Sequence, residues 1–196
     1  MKAVLISIKP KWCELIASGK KTVEVRKTRP KIATPFKCYI YCTQGKDLLT
    51  SVNGKVNKPN EIVIDLTTDS TIQDLNGTVI GEFVCDSFII DKTFGHDALF
   101  RAAACMSDAE AAAYCVNNEM YGWHISDLVI YNKPKELSGF FHYCGDNPKC
   151  DGCEAHYFSN TECGKEDYCC SPIEGYKPLK RPFQSWGYVY ETDTQL

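Results

Sequence analysis

The stretch Ser18-Gly-Lys-Lys-Thr-Val-Glu-Val-Arg-Lys27 marks a change of period. Ahead of it, Trp12, Leu15 and Ile16 recur at helical spacing over Lys11–Ser18, and Gly19 stands where a helix C-terminal glycine belongs. From Thr22 to Lys27 the residues alternate: Val23 and Val25 fall on one side, Thr22, Glu24 and Arg26 on the other. The pattern predicts a helix, a tight turn, and a strand with one apolar and one charged face. Glu24 and Arg26 share the charged face about 6.6 Å apart along the strand, and Lys21 stands at its start. Two cations can hold a phosphate or a sugar edge. A carboxylate between them can accept hydrogen bonds from a base amino group. An exposed ion-pair ladder, common and energetically slight, is the other reading of the same residues.

Working outward, Ala3–Ile8 is an apolar β-branched run ended by Pro10, hence a strand, and Lys37–Cys42 is another. Residues 43–60 carry Gly45, Asn53, Gly54, Pro59 and Asn60 and read as a long loop or hairpin tip. Glu61–Leu66 and Thr78–Ile90 supply further strands, with Asn76-Gly77 as a turn signal before the second. Ser107 with Glu110 three residues on forms a capping box that opens a helix over Ser107–Val116. Tyr121–Tyr131 reads as a turn leading into a strand at Leu128–Tyr131, which Pro134 ends, and Lys135–Phe140 suits a short helix. Ser185–Glu191 alternates again and closes the chain as a strand. The expectation is one domain over residues 1–196, of class α+β: a mixed barrel-like β structure of six or seven short strands with flanking helices.

Composition narrows the function classes. The 196 residues are 44% hydrophobic and 24% charged, which excludes intrinsic disorder. No apolar run approaches the ~20 residues of a membrane helix. The opening apolar run is cut off at Lys9-Pro10-Lys11, so it reads as a strand and not as the core of an export signal, and a cytoplasmic location is expected. The formal net charge of −3 hides an asymmetry: residues 1–37 hold ten Lys or Arg and two acids, leaving 12 basic and 23 acidic residues for 38–196. A basic patch on an acidic body suits an anion held in one place, or a solvated face with no ligand.

Twelve cysteines divide into two sets. Cys13, Cys38, Cys42, Cys85, Cys105 and Cys115 are scattered through apolar stretches and read as small buried hydrophobes in a reducing compartment. Cys144, Cys150, Cys153, Cys163, Cys169 and Cys170 crowd into a Cys-, Gly-, Pro- and Asn-rich insert at about 144–180 with no apolar period. Cys150-x-x-Cys153 is the knuckle spacing that grips tetrahedral zinc. Cys163 and Cys169 complete the favoured set, with Cys144, Cys170 and His156 as alternates. A structural zinc is expected, because all-thiolate sites leave no open position for catalysis, and metal would order an insert lacking its own core. Disulfides, in an oxidising compartment, and reduced, unliganded thiols are the alternatives. Trp123 and Trp186 follow polar or turn residues and could line a cleft, where an indole stacks on a base; both also suit a core. No Ser-His-Asp triad, P-loop or dinucleotide glycine fingerprint is present in the sequence.

Gly19-x-Lys21-x-x-Glu24-x-Arg26 resembles, without departure, the G-x-K-x-x-E-x-R signature of the ASCH domain, a relative of the PUA fold. Ser7-Ile8-Lys9-Pro10 with Trp12, Gly122-Trp123-His124-Ile125 and Arg181-Pro182-Phe183-Gln184-Ser185-Trp186 are also similar to bacterial and phage ASCH proteins. The resemblance covers 1–135 and 180–191 and leaves the cysteine-rich insert outside. It implies a small β-barrel whose cleft, lined by the signature, binds RNA or modified nucleosides. Lys21, Glu24 and Arg26 would floor that cleft, with Lys27 and Arg29 as outer phosphate contacts. Some small ASCH proteins are amidohydrolases that deacetylate N4-acetylcytidine, with a lysine where this chain has Lys21 and a threonine nucleophile where it has Glu24. A carboxylate is a poor substitute for an activated hydroxyl, and Thr22 lies two residues off that position. The third member of such a site would be Glu110 or Glu119, neither marked by a motif. Binding is therefore expected over catalysis; were the protein an enzyme, Lys21 and Glu24 would be its candidates. A protein-interaction module working through the insert is the third reading.

Overall fold

From Ala3 to Ile8 every residue is buried, so the first strand does not alternate: it lies inside a sheet covered on both faces. The computed structural model describes residues 2–63, 71–92, 97–115, 119–143 and 176–191. In chain order they form β1 (Lys2–Ile8), α1 (Pro10–Ala17), β2 (Val23–Arg26), β3 (Phe36–Cys42), β4 (Thr50–Val52), β5 (Lys55–Val56), β6 (Ile72–Asp74), β7 (Val79–Asp91), α2 (Ala98–Ala104), α3 (Asp108–Tyr114), β8 (Met120–Lys135), β9 (Phe140–Tyr143), β10 (Tyr176–Pro178) and β11 (Trp186–Glu191). Eight strands make one sheet in the order β10-β9-β11-β1-β3-β7-β8-β2, and β5-β4-β6 make a small second one. Among the described residues only β1 and β3 run parallel; α1 and β2 lie in the connection between them.

The expected barrel is corrected to an open sheet. β2 and β10 are its two ends, and among the described residues no backbone hydrogen bond joins β2 to β1 or β11. β2 has only four residues, and residues 27–35, with Pro30 and Pro35, carry the chain away without pairing. Side chains bridge the gap instead. Arg26 Nη2 donates to Ser7 O at 2.6 Å, Trp186 Nε1 to Thr28 Oγ1 at 3.1 Å, and the Lys31 amide to Tyr188 Oη at 2.9 Å. The sheet is thus curled far enough for its β2 end to meet β1 and β11 along a seam.

Inside the curl lies the main core: Val4, Ile6 and Ile8 from β1, Cys13 and Ile16 from α1, Cys38 and Ile40 from β3, Phe83 and Trp123. A second cluster on the other face joins Leu5, Tyr39, Phe140 and Val189. A third packs Val23 and Val25 of β2 against Phe100, Ala104 and Met120. The scattered cysteines behave as the sequence suggests: all six are free, five are buried and Cys105 is half-buried.

Several elements differ from expectation. α2 is additional to the expected elements, and Asp97 caps it by accepting from the Leu99 and Phe100 amides at 2.9 and 3.0 Å. The capping box at Ser107 and Glu110 is present as read. In place of a turn and a short strand, β8 runs unbroken for 16 residues through Gly122 and Pro134. Gly122 pairs in regular register with Ile89 and Val25, while Pro134 falls where the register against β7 shifts; that register shifts three times in all, and Asp127 has φ of +46°. The presumed helix at Lys135–Phe140 is a 3-10 turn at Leu137–Gly139. Residues 61–63 are irregular, and the remainder of the strand expected there lies outside the described residues. So do all the clustered cysteines and His156, while 176–178, expected as insert, form β10.

Candidate functional site

Gly19 ends α1 with φ of +73°, turning the chain so that Lys21 leads directly into β2. The Lys21 amide donates to Leu15 O, and Ile125 N donates to Thr22 O, which fixes both ends of the turn. Val23 and Val25 face α2, so Glu24 and Arg26 point the other way, into the curl. The charged face that alternation suggested is therefore an interior face.

There the three signature side chains meet. Arg26 Nη1 lies 2.7 Å from Glu24 Oε1, and Lys21 Nζ lies 3.4 Å from Glu24 Oε2, with side-chain exposures of 12, 4 and 3% for Arg26, Glu24 and Lys21. Lys21 Nζ also donates to Ala104 O at 2.7 Å and sits 4.8 Å from the centre of the Trp12 ring. Ala104 is the last residue of α2, so the ammonium meets the negative end of that helix. Burial lowers the Lys21 pKa, and the Glu24 carboxylate opposes that shift. Tyr114 Oη donates to Val25 O at 3.4 Å; its pKa is raised by burial, against the influence of Arg26.

Two cations against one carboxylate leave one positive charge in excess in a place shielded from water. Desolvating such ions costs several kcal/mol each, so the arrangement needs all its partners. It lacks some. Glu24 Oε2 is an ion contact of Lys21 but has no hydrogen bond, and Arg26 Nε and Trp123 Nε1 are buried without any partner. Trp123 is opposite Glu24 across the β2–β8 pair, and Arg26 is two residues further along the same strand face. Two donors without partners and one carboxylate oxygen with only a long ammonium contact are thus gathered around one strand pair. Unpaired buried polar groups are rare, and each calls for a cause.

The other candidates are placed as follows. Trp123 is fully buried and packs edge-on to Phe36, Phe88 and Trp186, with ring centres 5.8–5.9 Å apart, so it offers no open ring face for stacking. Trp186 is half-buried at the seam. Lys27 and Arg29 are exposed, Lys27 5.3 Å from the Tyr114 ring centre and Arg29 5.4 Å from that of Phe88. Glu110 pairs at 2.6 Å with Lys11, whose ammonium lies 4.3 Å from the centre of the Trp12 ring that Lys21 also approaches, and Glu119 accepts from Tyr121 Oη. Ser7, Thr28, Tyr114 and the Ala104 carbonyl contribute to the site without having been singled out. Thr28, between Lys27 and Arg29, had a positional signal; a carbonyl 83 residues from Lys21 had none. Among the described residues no three metal-ligating side chains come together, and none of the helices is long and apolar enough to cross a membrane.

Comparison with known proteins agrees with the signature. The family model of the ASCH domain matches residues 6–51, so the resemblance to that domain holds over the segment from β1 to β4. No functionally curated protein matches the chain significantly. Among solved structures, the crystal structure of ASCH from Zymomonas mobilis is similar at 19% identity and a TM-score of 0.48, covering 69% of this chain and 73% of that one. Two single-residue mutants of the same Zymomonas mobilis protein match at 19% identity, with TM-scores of 0.47 and 0.48. They cover 70 and 69% of this chain and 77 and 74% of theirs.

Proposed function

We propose that the protein binds RNA or a modified nucleoside at the seam between β2 and the β1–β11 pair, with Lys21, Glu24 and Arg26 as the floor of the site. The observation that carries this reading is the gathering of two partnerless buried donors, Arg26 Nε and Trp123 Nε1, with Glu24 Oε2, which has only the Lys21 ammonium at 3.4 Å, beside an excess positive charge. A pyrimidine edge offers one donor and two acceptors, which is the complement of one acceptor and two donors. A phosphate or carbonyl oxygen would offset the excess charge. The three atoms are closed to solvent, so a ligand reaches them as the side-chain bridges along the seam part. Arg26, the most exposed of the triad, is the member placed to move. Lys27 and Arg29 would take phosphates outside the seam, and Trp186 offers an indole for stacking.

Titration calorimetry with uridine, cytidine, N4-acetylcytidine and a short single-stranded RNA tests the reading. Binding of at least one of these, weakened tenfold or more by the near-isosteric Glu24→Gln in protein that remains folded, is expected. Absence of binding by the whole panel overturns it. So does acetate release from N4-acetylcytidine that Lys21→Ala abolishes, since that result would make the protein an amidohydrolase.

The structural zinc is a separate part of the proposal and rests on spacing alone: Cys150, Cys153, Cys163 and Cys169, with Cys144, Cys170 and His156 in reserve. One zinc per chain by elemental analysis, lost when Cys150 and Cys153 are both replaced by serine, is the expected result.

A further inference from the structure

The charges of the buried triad do not balance. Lys21 and Arg26 set two positive charges against the one carboxylate of Glu24, with side chains 3, 12 and 4% exposed. Among the described residues no second acid forms an ion pair with either cation; Glu110, Glu82, Asp108 and Asp86 are engaged by Lys11, Lys37, Arg101 and His124. The carbonyls of Ala104, Val25 and Ser7 accept hydrogen bonds from the two cations but carry no formal charge. Strand register brings the spare donors together. Trp123 is the direct cross-strand partner of Glu24, and Arg26 is its diagonal neighbour on the same face. Opposed side chains start about 4.5–5.5 Å apart and diagonal ones about 7–8 Å, within reach of aromatic and long side chains. Trp123 Nε1, on a residue with no exposed surface, and Arg26 Nε are the two buried N–H groups there without an acceptor. An indole N–H lies on the positive edge of its ring, so it too favours negative charge.

We infer that a chloride ion, held by Arg26 Nε and Trp123 Nε1, is the counterion of this triad. A monoatomic anion accepts N–H donors from any direction, needs no proton, and supplies the one negative charge that the carbonyls cannot. An oxyanion would bring several oxygens to a place that offers two donors and is closed to solvent. Water would satisfy both donors and Glu24 Oε2 but leave the charge in excess, and a buried unpaired charge costs more than a buried unpaired donor. Glu24 does not exclude the ion, because Arg26 takes its Oε1 and the Lys21 ammonium faces its Oε2. The inference stands whether or not the protein binds RNA or a nucleoside. Where it does, chloride is a competitor: a ligand entering the seam displaces the ion, and its apparent affinity falls by a factor of 1 + [Cl⁻]/Kd.

Thermal unfolding at constant ionic strength, with sodium chloride replacing sodium methanesulfonate stepwise, tests it. Tm should rise saturably, by roughly 3–6 °C once chloride reaches about ten times its Kd. Trp123→Phe keeps an aromatic ring in the core but removes a donor, and should abolish that rise. Glu24→Gln should enlarge it, with a chloride Kd roughly tenfold lower, because it leaves two cations without their acid. The sign sets this test apart from that of the proposed function, where the same substitution weakens nucleoside binding. Circular dichroism checks that each variant is folded. Bromide diffused into crystals of the native protein supplies a measurement that needs no variant: its anomalous peak should lie within hydrogen-bond distance of Arg26 Nε and Trp123 Nε1. Equal Tm in the two anions overturns the inference, as does a rise unchanged in folded Trp123→Phe. An ordered water in that place, with bromide only on the surface, does the same. None of these failures touches the nucleoside reading, and failure of the nucleoside panel leaves the chloride site standing.

Discussion

Two carboxylates of this protein each hold a lysine, and they have little else in common. Glu110 meets Lys11 at 2.6 Å with side chains 38 and 55% exposed; Glu24 meets Arg26 at 2.7 Å and Lys21 at 3.4 Å with every partner largely buried. Distances alone would rank them as equals. Their surroundings do not. Water screens the first pair and can replace either partner, whereas the second has no solvent to fall back on. The signature residues are therefore structurally interdependent in a way that a surface ladder is not.

Substitutions can break that contrast. Glu24→Ala should destabilise the fold by about 3–5 kcal/mol in urea unfolding, because it leaves two buried cations without their acid. A loss below 1 kcal/mol would mean that the triad is open to water. Gly122→Ala comes next. A Cβ there would lie 2.6 Å from the Phe100 ring and from Val23, so it should cost about 1–3 kcal/mol by pushing α2 off β2. It should also loosen Lys21, whose ammonium α2 holds. Ser107→Ala removes one half of the capping box of α3 and should lower stability by about 1 kcal/mol. Smallest is Lys11→Ala, at about 0.2–1 kcal/mol.

The exposed pair also supplies a pH test. Glu110 is held down from 4.5 to about 2, first by Lys11 and then by the Ser107 amide. A carboxyl depressed on folding contributes stability above its unfolded pKa and loses it as pH falls through the folded one. The stability gap between the native protein and Glu110→Gln should thus be full at pH 7 and shrink between pH 4.5 and about 2. A gap that stays constant over that window would show that Glu110 acts only as a hydrogen-bonding cap.

How far the sequence could be read follows from the same contrast. The α1–turn–β2 unit and the α3 cap were legible because Gly19 and Ser107–Glu110 act locally, through the backbone next to them. α2 had an equally local signal in Asp97 followed by Ala, Leu and Phe, and it went unread among glycine and histidine neighbours. β8 is hard to read because Gly122 and Pro134 usually interrupt strands, whereas here Gly122 pairs regularly under Phe100 and Val23 and a register shift against β7 takes up Pro134. The site was legible as to residue types but not as to setting. Period 2 places Glu24 and Arg26 on one face, yet nothing local says that the sheet will curl until β1 and β11 cover that face. Ser7, Ala104 and Trp186 reach the site through tertiary packing alone, across 19, 83 and 158 residues from their partners.

The seam also determines where native opening is cheapest. Prying any two of the sheet's inner strands apart would sever a ladder of backbone bonds, whereas lifting β2 away from β1 and β11 severs only a few side-chain links. Hydrogen exchange in the native protein should accordingly find its fastest cooperative opening in residues 27–35, whose Lys31 amide is held across the seam by Tyr188, while β2 stays protected by β8, and β1 and β3 exchange only on global unfolding. In such an arrangement the buried charges lie under a hinged panel rather than at the centre of a sealed vault.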